Sequence, residues 1–141
     1  MARVTLHFPA PVLFTHPLRL RISDINHGHH LGHDTLVSLF HDSRCQWLAS
    51  HNMAEWDIDG LATVVAELVV NYRAEAFVND TLQMELALGD IGNKSAEIYQ
   101  QLRKGEQVIA VAKVSLVFFD IAARQSAPVP QAFLKLARAE H

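Results

Sequence analysis

Leu18-Arg19-Leu20-Arg21-Ile22-Ser23 leads into Asp24-Ile25-Asn26-His27-Gly28-His29-His30-Leu31-Gly32-His33-Asp34, and then into Leu36, Leu39, Phe40, Ser43, Trp47 and Leu48. In the first part Leu18, Leu20 and Ile22 alternate with Arg19, Arg21 and Ser23. Period two predicts a strand with one buried face. In the last part the apolar residues recur at three and four, which predicts an amphipathic helix from about 33 to about 51. The middle has two glycines and no period, so it reads as a loop. Asp34 falls near the helix start, where a carboxylate is favoured by the exposed amides and the dipole.

Downstream, the chain is strand-rich. Residues 61–74 form a continuous β-branched run (Thr63, Val64, Val65, Val69, Val70, Tyr72), as expected of a strand covered on both faces. Leu82, Met84, Leu86 and Leu88 alternate with polar or small residues, and so do Ala96, Ile98 and Leu102. Residues 108–119 form a last long strand. Asn79-Asp80, Gly92-Asn93 and Lys104-Gly105-Glu106 mark the turns. Pro128 and Pro130 precede a short helix over Gln131–Ala139. One long helix and an antiparallel meander predict an α+β domain over residues 1–141, the helix packed on a five- to six-stranded sheet. One helix covers only part of such a sheet, so a homodimer or homotetramer is expected to cover more.

The 141 residues carry 12 basic and 15 acidic side chains, a net charge of −3. That leaves no basic excess for a nucleic-acid backbone. One cysteine, Cys45, allows no internal disulfide, is expected to exclude a disulfide scaffold or a thiolate zinc site, and suits a reducing cytoplasm. Mid-helix Cys45 reads as a small core residue. No run approaches the roughly 20 apolar residues of a membrane span.

Nine histidines are unusual, and five lie between 27 and 41. Imidazoles at this density suit a metal. The H-x-H-x-D-H signature of metallo-β-lactamase-type hydrolases, however, needs Asp at 31 and His at 32, where Leu31 and Gly32 stand. No metal is therefore expected, and a metal-dependent hydrolase using this loop is the lesser alternative. The other reading is a ligand site at the strand–loop–helix junction. A helix start offers unpaired amides able to stabilise an oxyanion. Asp24, Asn26, His30, His33 and Asp34 surround it with acids, bases and donors, an arrangement suited to hydrolysis of a carbonyl compound. The plainer account makes Asp24 and Asn26 an Asx turn and Asp34 a cap. No phosphate-binding glycine motif and no G-x-S-x-G elbow is present.

The run Arg21-Ile22-Ser23-Asp24-Ile25-Asn26-His27-Gly28-His29-His30-Leu31-Gly32-His33, followed by His41-Asp42-Ser43-Arg44, resembles the R-x-x-D-x-D-x-x-G-H-x-N-N segment and helix of the hotdog-fold acyl-CoA thioesterases of the 4-hydroxybenzoyl-CoA thioesterase-like group. Asn71-Tyr72-Arg73-Ala74-Glu75-Ala76, Asn79-Asp80, Phe119-Asp120 and Pro128-Val129-Pro130 fall where that family places its later motifs. The resemblance spans about residues 10–135. It implies a hotdog fold and hydrolysis of an acyl-CoA or acyl-carrier thioester, with no cofactor beyond the CoA of the substrate.

The departures fall at the chemistry. Asn26 replaces the family's second Asp, and an amide is no base at neutral pH. His30 matches the family's His, His29 replaces its Gly, Gly32 and His33 replace its Asn pair, and His41 stands where Glu is common. The resemblance implies a carbonyl polarised at the amide of His33 or a neighbour. Asn26 would orient water or carbonyl, and His41 or Asp34 would serve as base. The acyl chain would run along Leu36, Phe40 and Val70. Arg73, Lys94, Arg103 and Lys113 are candidates for the CoA phosphates by sign of charge. A hotdog module that binds acyl-CoA without hydrolysing it is the alternative that Asn26 raises.

Overall fold

The structure, a computed structural model, describes residues 4–139; the outermost residues of the domain expected over 1–141 lie outside them. The order is β1 (Phe14–Arg19), a 3-10 turn (Ile22–Asp24), α1 (His33–Ala49), β2 (Ala62–Tyr72), β3 (Thr81–Ile91), β4 (Ser95–Lys104), β5 (Gln107–Asp120), β6 (Gln125–Ser126) and α2 (Gln131–Ala139). The strands form one antiparallel sheet in the order β1-β3-β4-β5-β2, with β6 beside β5. This is the α+β architecture expected, with the long helix ending two residues early.

Two local expectations are corrected. The first strand was expected over 18–23, but it ends at Arg19 and Ile22 is 76% exposed. The cause is Asp24, whose Oδ2 accepts the Arg21 amide at 2.8 Å and draws the chain into the 3-10 turn. Such side-chain-to-backbone bonds compete with sheet pairing. Residues 61–74 were expected to be covered on both faces. Instead β2 is an edge strand of the subunit, with Val64 and Val65 about half exposed.

The helix joins two apolar clusters. Leu36 and Phe40 pack with Leu20, Met84, Leu102 and Ala110. About two turns on, Trp47 and Leu48 pack with Leu86, Ile98, Leu116 and Phe118. Each large side chain so buried contributes about 1.5–3 kcal/mol. α2 closes the second cluster: Phe133 stands edge-on to Trp47 at 5.9 Å and to Phe118 at 5.1 Å. Arg44 is buried and donates to Gln100 Oε1 at 3.1 Å, while Gln100 Nε2 donates to the Phe40 carbonyl at 2.7 Å. These bonds pin α1 to β4 and fix the helix start relative to the sheet.

Candidate active site

The loop before α1 is a tight return. The Asn26 amide donates to the His30 carbonyl at 2.9 Å, and Ile25 bridges Leu31. The Leu31 amide donates to Ala76 at 2.7 Å, which ties the loop to the segment after β2. His29 takes φ +69° to make the return. That is the left-handed region, which is strained for a residue with a Cβ and explains glycine as the natural occupant.

Two side chains of the loop, Asn26 and His30, are oriented by backbone contacts. Asn26 Oδ1 accepts the Gly28 amide at 2.9 Å, an Asx turn. Because that contact requires the oxygen, the Asn26 NH2 faces the other way and is free to donate. His30 Nδ1 lies 3.2 Å from the Leu31 carbonyl. A carbonyl only accepts, so Nδ1 carries a proton, and in the neutral imidazole Nε2 is the lone-pair nitrogen. A Cβ built on Gly28 would meet that Nε2 at 3.2 Å and Asn26 Oδ1 at 3.4 Å, so the imidazole and the amide lie together.

α1 starts beside them. Its N-cap is Gly32, with no side-chain cap. Asp34 therefore does not cap the helix. A Cβ on Gly32 would stand 2.8 Å from Asp34 Oδ1 and 3.3 Å from Asn26 Cβ, so Asn26 and Asp34 converge over the uncapped turn. Tyr72, at the end of β2, donates from Oη to the His33 carbonyl at 3.3 Å. Burial, and then the charge of Asp34, raise the Tyr72 pKa above the usual phenol value. Asn26, His30, His33 and Tyr72 line a cavity of about 400 Å³ whose apolar wall includes Leu31, Leu36, Ala76 and Ile109.

The other expected residues lie elsewhere. Asp24 is buried, and both its oxygens are bound to Arg21. His41 is on the same helix but faces a separate hollow, where its Nε2 lies 2.5 Å from Glu55 Oε1. Cys45, one turn on, donates from Sγ to the same oxygen at 2.8 Å. Burial first, then the Glu55 bond, push the Cys45 thiol up to about 12, so it is no ready nucleophile. Phe40 is fully buried in the core, Leu36 lines the cavity, and Val70 lines a neighbouring hollow.

Of the cations, Arg73 stands at the cavity and donates to the Leu6 carbonyl. Arg103 forks onto Glu85 at 2.7 and 3.0 Å, Lys113 pairs with Glu67 and Glu97, and Lys94 is exposed in the β3–β4 turn. Sequence reasoning missed Glu55 altogether and did not place Tyr72 at the helix start. Their partners are 14 and 39 residues away, and no local period marks them.

A helix start with no side-chain cap thus faces Asn26 and His30 over an apolar cavity. The model of the thioesterase-like superfamily matches residues 20–136, and the chain belongs to that family. As a member it is a hydrolase of acyl-CoA-type thioesters. No curated protein matches the chain in sequence. Among solved structures it is similar to the 1,4-dihydroxy-2-naphthoyl-CoA thioesterase of Synechocystis, with 19% identity, a TM-score of 0.81, and 91% of this chain and 98% of that one covered. It is also similar to a Staphylococcus aureus protein solved in complex with CoA, with 17% identity, a TM-score of 0.81, and 96% and 87% covered. At these identities the likeness is one of fold. Among the described residues no helix is long and apolar enough to cross a membrane.

Proposed function

We propose that hydrolysis takes place at the start of α1, with Asn26 as donor and His30 as base. The observation that carries this is that Asn26 and His30 both line the apolar cavity beside a helix start with no side-chain cap, with Asn26 Oδ1 and His30 Nδ1 already engaged by the backbone. The thioester carbonyl oxygen takes donors from the Asn26 amide and from the first backbone amides of α1, at His33 and Asp34. As water attacks, charge grows on that oxygen, and preorganised donors in a low-dielectric pocket favour it. His30 Nε2 takes the proton of the attacking water and returns it to the departing thiolate. The acyl group lies against Leu31, Leu36 and Ile109, and Arg73 at the rim meets the CoA phosphates. Asp34 stands by as a second acceptor. An acyl carrier arm ends in the same thiol and reaches the same site. The chemistry is complete with donors, base and water, so activity is expected to survive dialysis against a strong chelator.

The test is thiol release from a panel of acyl-CoA esters. Asn26→Ala should lower kcat by about 10²–10³, the scale for one preorganised donor. His30→Ala should lower it by about 10²–10⁴. Asn26→Asp restores the acid of the resembling family and should keep activity. Wild-type rates in both Asn26→Ala and His30→Ala would refute the assignment. A loss confined to His41→Ala would move the base to His41. CoA binding without thiol release from any ester would make the chain a binding module.

A further inference from the structure

The cluster at His41, Cys45 and Glu55 belongs to no step proposed above. His41 and Cys45 are spaced i, i+4 on α1, so their side chains share one face. Glu55 comes from the loop before β2. Its backbone is fixed by Thr63, whose amide and Oγ1 both donate to the Glu55 carbonyl, at 2.7 and 3.1 Å. One imidazole nitrogen, one sulfur and one carboxylate oxygen all lie within 4.8 Å of one another. The hollow they face, about 340 Å³ and walled by Trp56, Ala62 and Thr63, leaves a side open.

We infer that His41 Nε2, Cys45 Sγ and Glu55 Oε1 form a three-ligand site for a zinc-class divalent cation, with the fourth position open to the hollow. Metal–ligand lengths of about 2.0–2.3 Å in a tetrahedron place donor atoms roughly 3.3–3.6 Å apart. His41 Nε2 and Cys45 Sγ now lie 2.5 and 2.8 Å from the same Glu55 oxygen. The cation takes the place of the hydrogens in those two contacts. Glu55 Oε1 draws back by under about 1 Å to reach that spacing. The thiol proton goes to solvent, and the imidazole moves its proton to Nδ1. A nitrogen–sulfur–oxygen set selects zinc, cobalt or nickel over magnesium and calcium, which require oxygen shells. The site is distinct from the histidine-rich loop. Among the described residues, that loop brings no three such ligand atoms together. The inference stands apart from the hydrolytic reading, because the cation is detected without substrate.

The test is titration of the chelator-treated full chain with cobalt(II). One equivalent per chain should raise a near-ultraviolet thiolate-to-cobalt absorption with tetrahedral visible bands. Zinc should abolish both, and magnesium and calcium should leave them unchanged. Cys45→Ser should lose the near-ultraviolet band. His41→Ala and Glu55→Gln should each weaken binding by at least about tenfold, the lower end of what even an outer partner of a metal ligand costs. His41 is exposed, so its variant reports on binding with the fold intact. His27→Ala with His29→Ala should change nothing. No thiolate band in wild type, a band surviving Cys45→Ser, or unchanged affinity in His41→Ala overturns the site.

Discussion

His29 holds a left-handed backbone, φ +69°, in the loop that delivers Asn26 and His30 to the cavity. A non-glycine residue there costs about 1–2 kcal/mol. His29→Gly should therefore raise stability by about 1 kcal/mol, net of the extra freedom glycine gains when unfolded. Urea denaturation checks this: an unchanged or lowered midpoint contradicts the strain. The histidine density of this loop drew attention to a metal in the sequence, yet its members have separate tasks. His30 is locked by the Leu31 carbonyl, His29 makes the turn, and His33 opens the helix. Residue type was legible there and residue role was not, because role depends on which atom each neighbour binds.

At the scale of elements, periodicity was a good guide wherever one face meets the core. The alternation in β3 and β4 and the three-four spacing of α1 are read directly in the buried residues. It failed at Ile22, where one carboxylate ends the strand, and in β2, where apolar run length said nothing about what covers it. Strand pairing brings in charge partners that local reading does not see. Glu85 of β3 faces Arg103 of β4 in a two-bond fork. The Arg103 hydrogen bond, chiefly, holds the Glu85 carboxyl below its ordinary value. The folded pKa is thus lower than the unfolded one. The pair's contribution is present above the usual carboxylate range, about 4.3, and is lost as pH falls through the folded value. Glu85→Gln should be less stable than wild type at neutral pH and should converge on it in acid. Thermal melts across pH 2–7 show whether the two curves meet, as about 4.3 is crossed downward. A constant gap would mean that the ion pair contributes nothing.

For the whole molecule, β2 decides what the single chain lacks. An edge strand is ordinarily blunted by charge, proline or a strong bulge. β2 runs 11 residues with one charged side chain, Glu67, at one register shift, and it exposes Val64, Val65, Leu68 and Tyr72. A second copy of the same strand, laid antiparallel about a two-fold axis, would satisfy the free backbone groups and cover the valines. A copy paired along β2 would therefore lie against the strand that carries both Tyr72, which binds the helix start at His33, and Thr63, which anchors Glu55. Sedimentation at micromolar concentration should give at least twice the 15.8 kDa of one chain. Val64→Lys with Leu68→Lys sets four like charges across the axis and should yield a monomer with native circular dichroism. That monomer should lose thioesterase activity if a second copy along β2 helps to close the cavity that Tyr72 lines. A wild-type monomer refutes the pairing. A folded monomeric variant with full activity places the whole site within one chain.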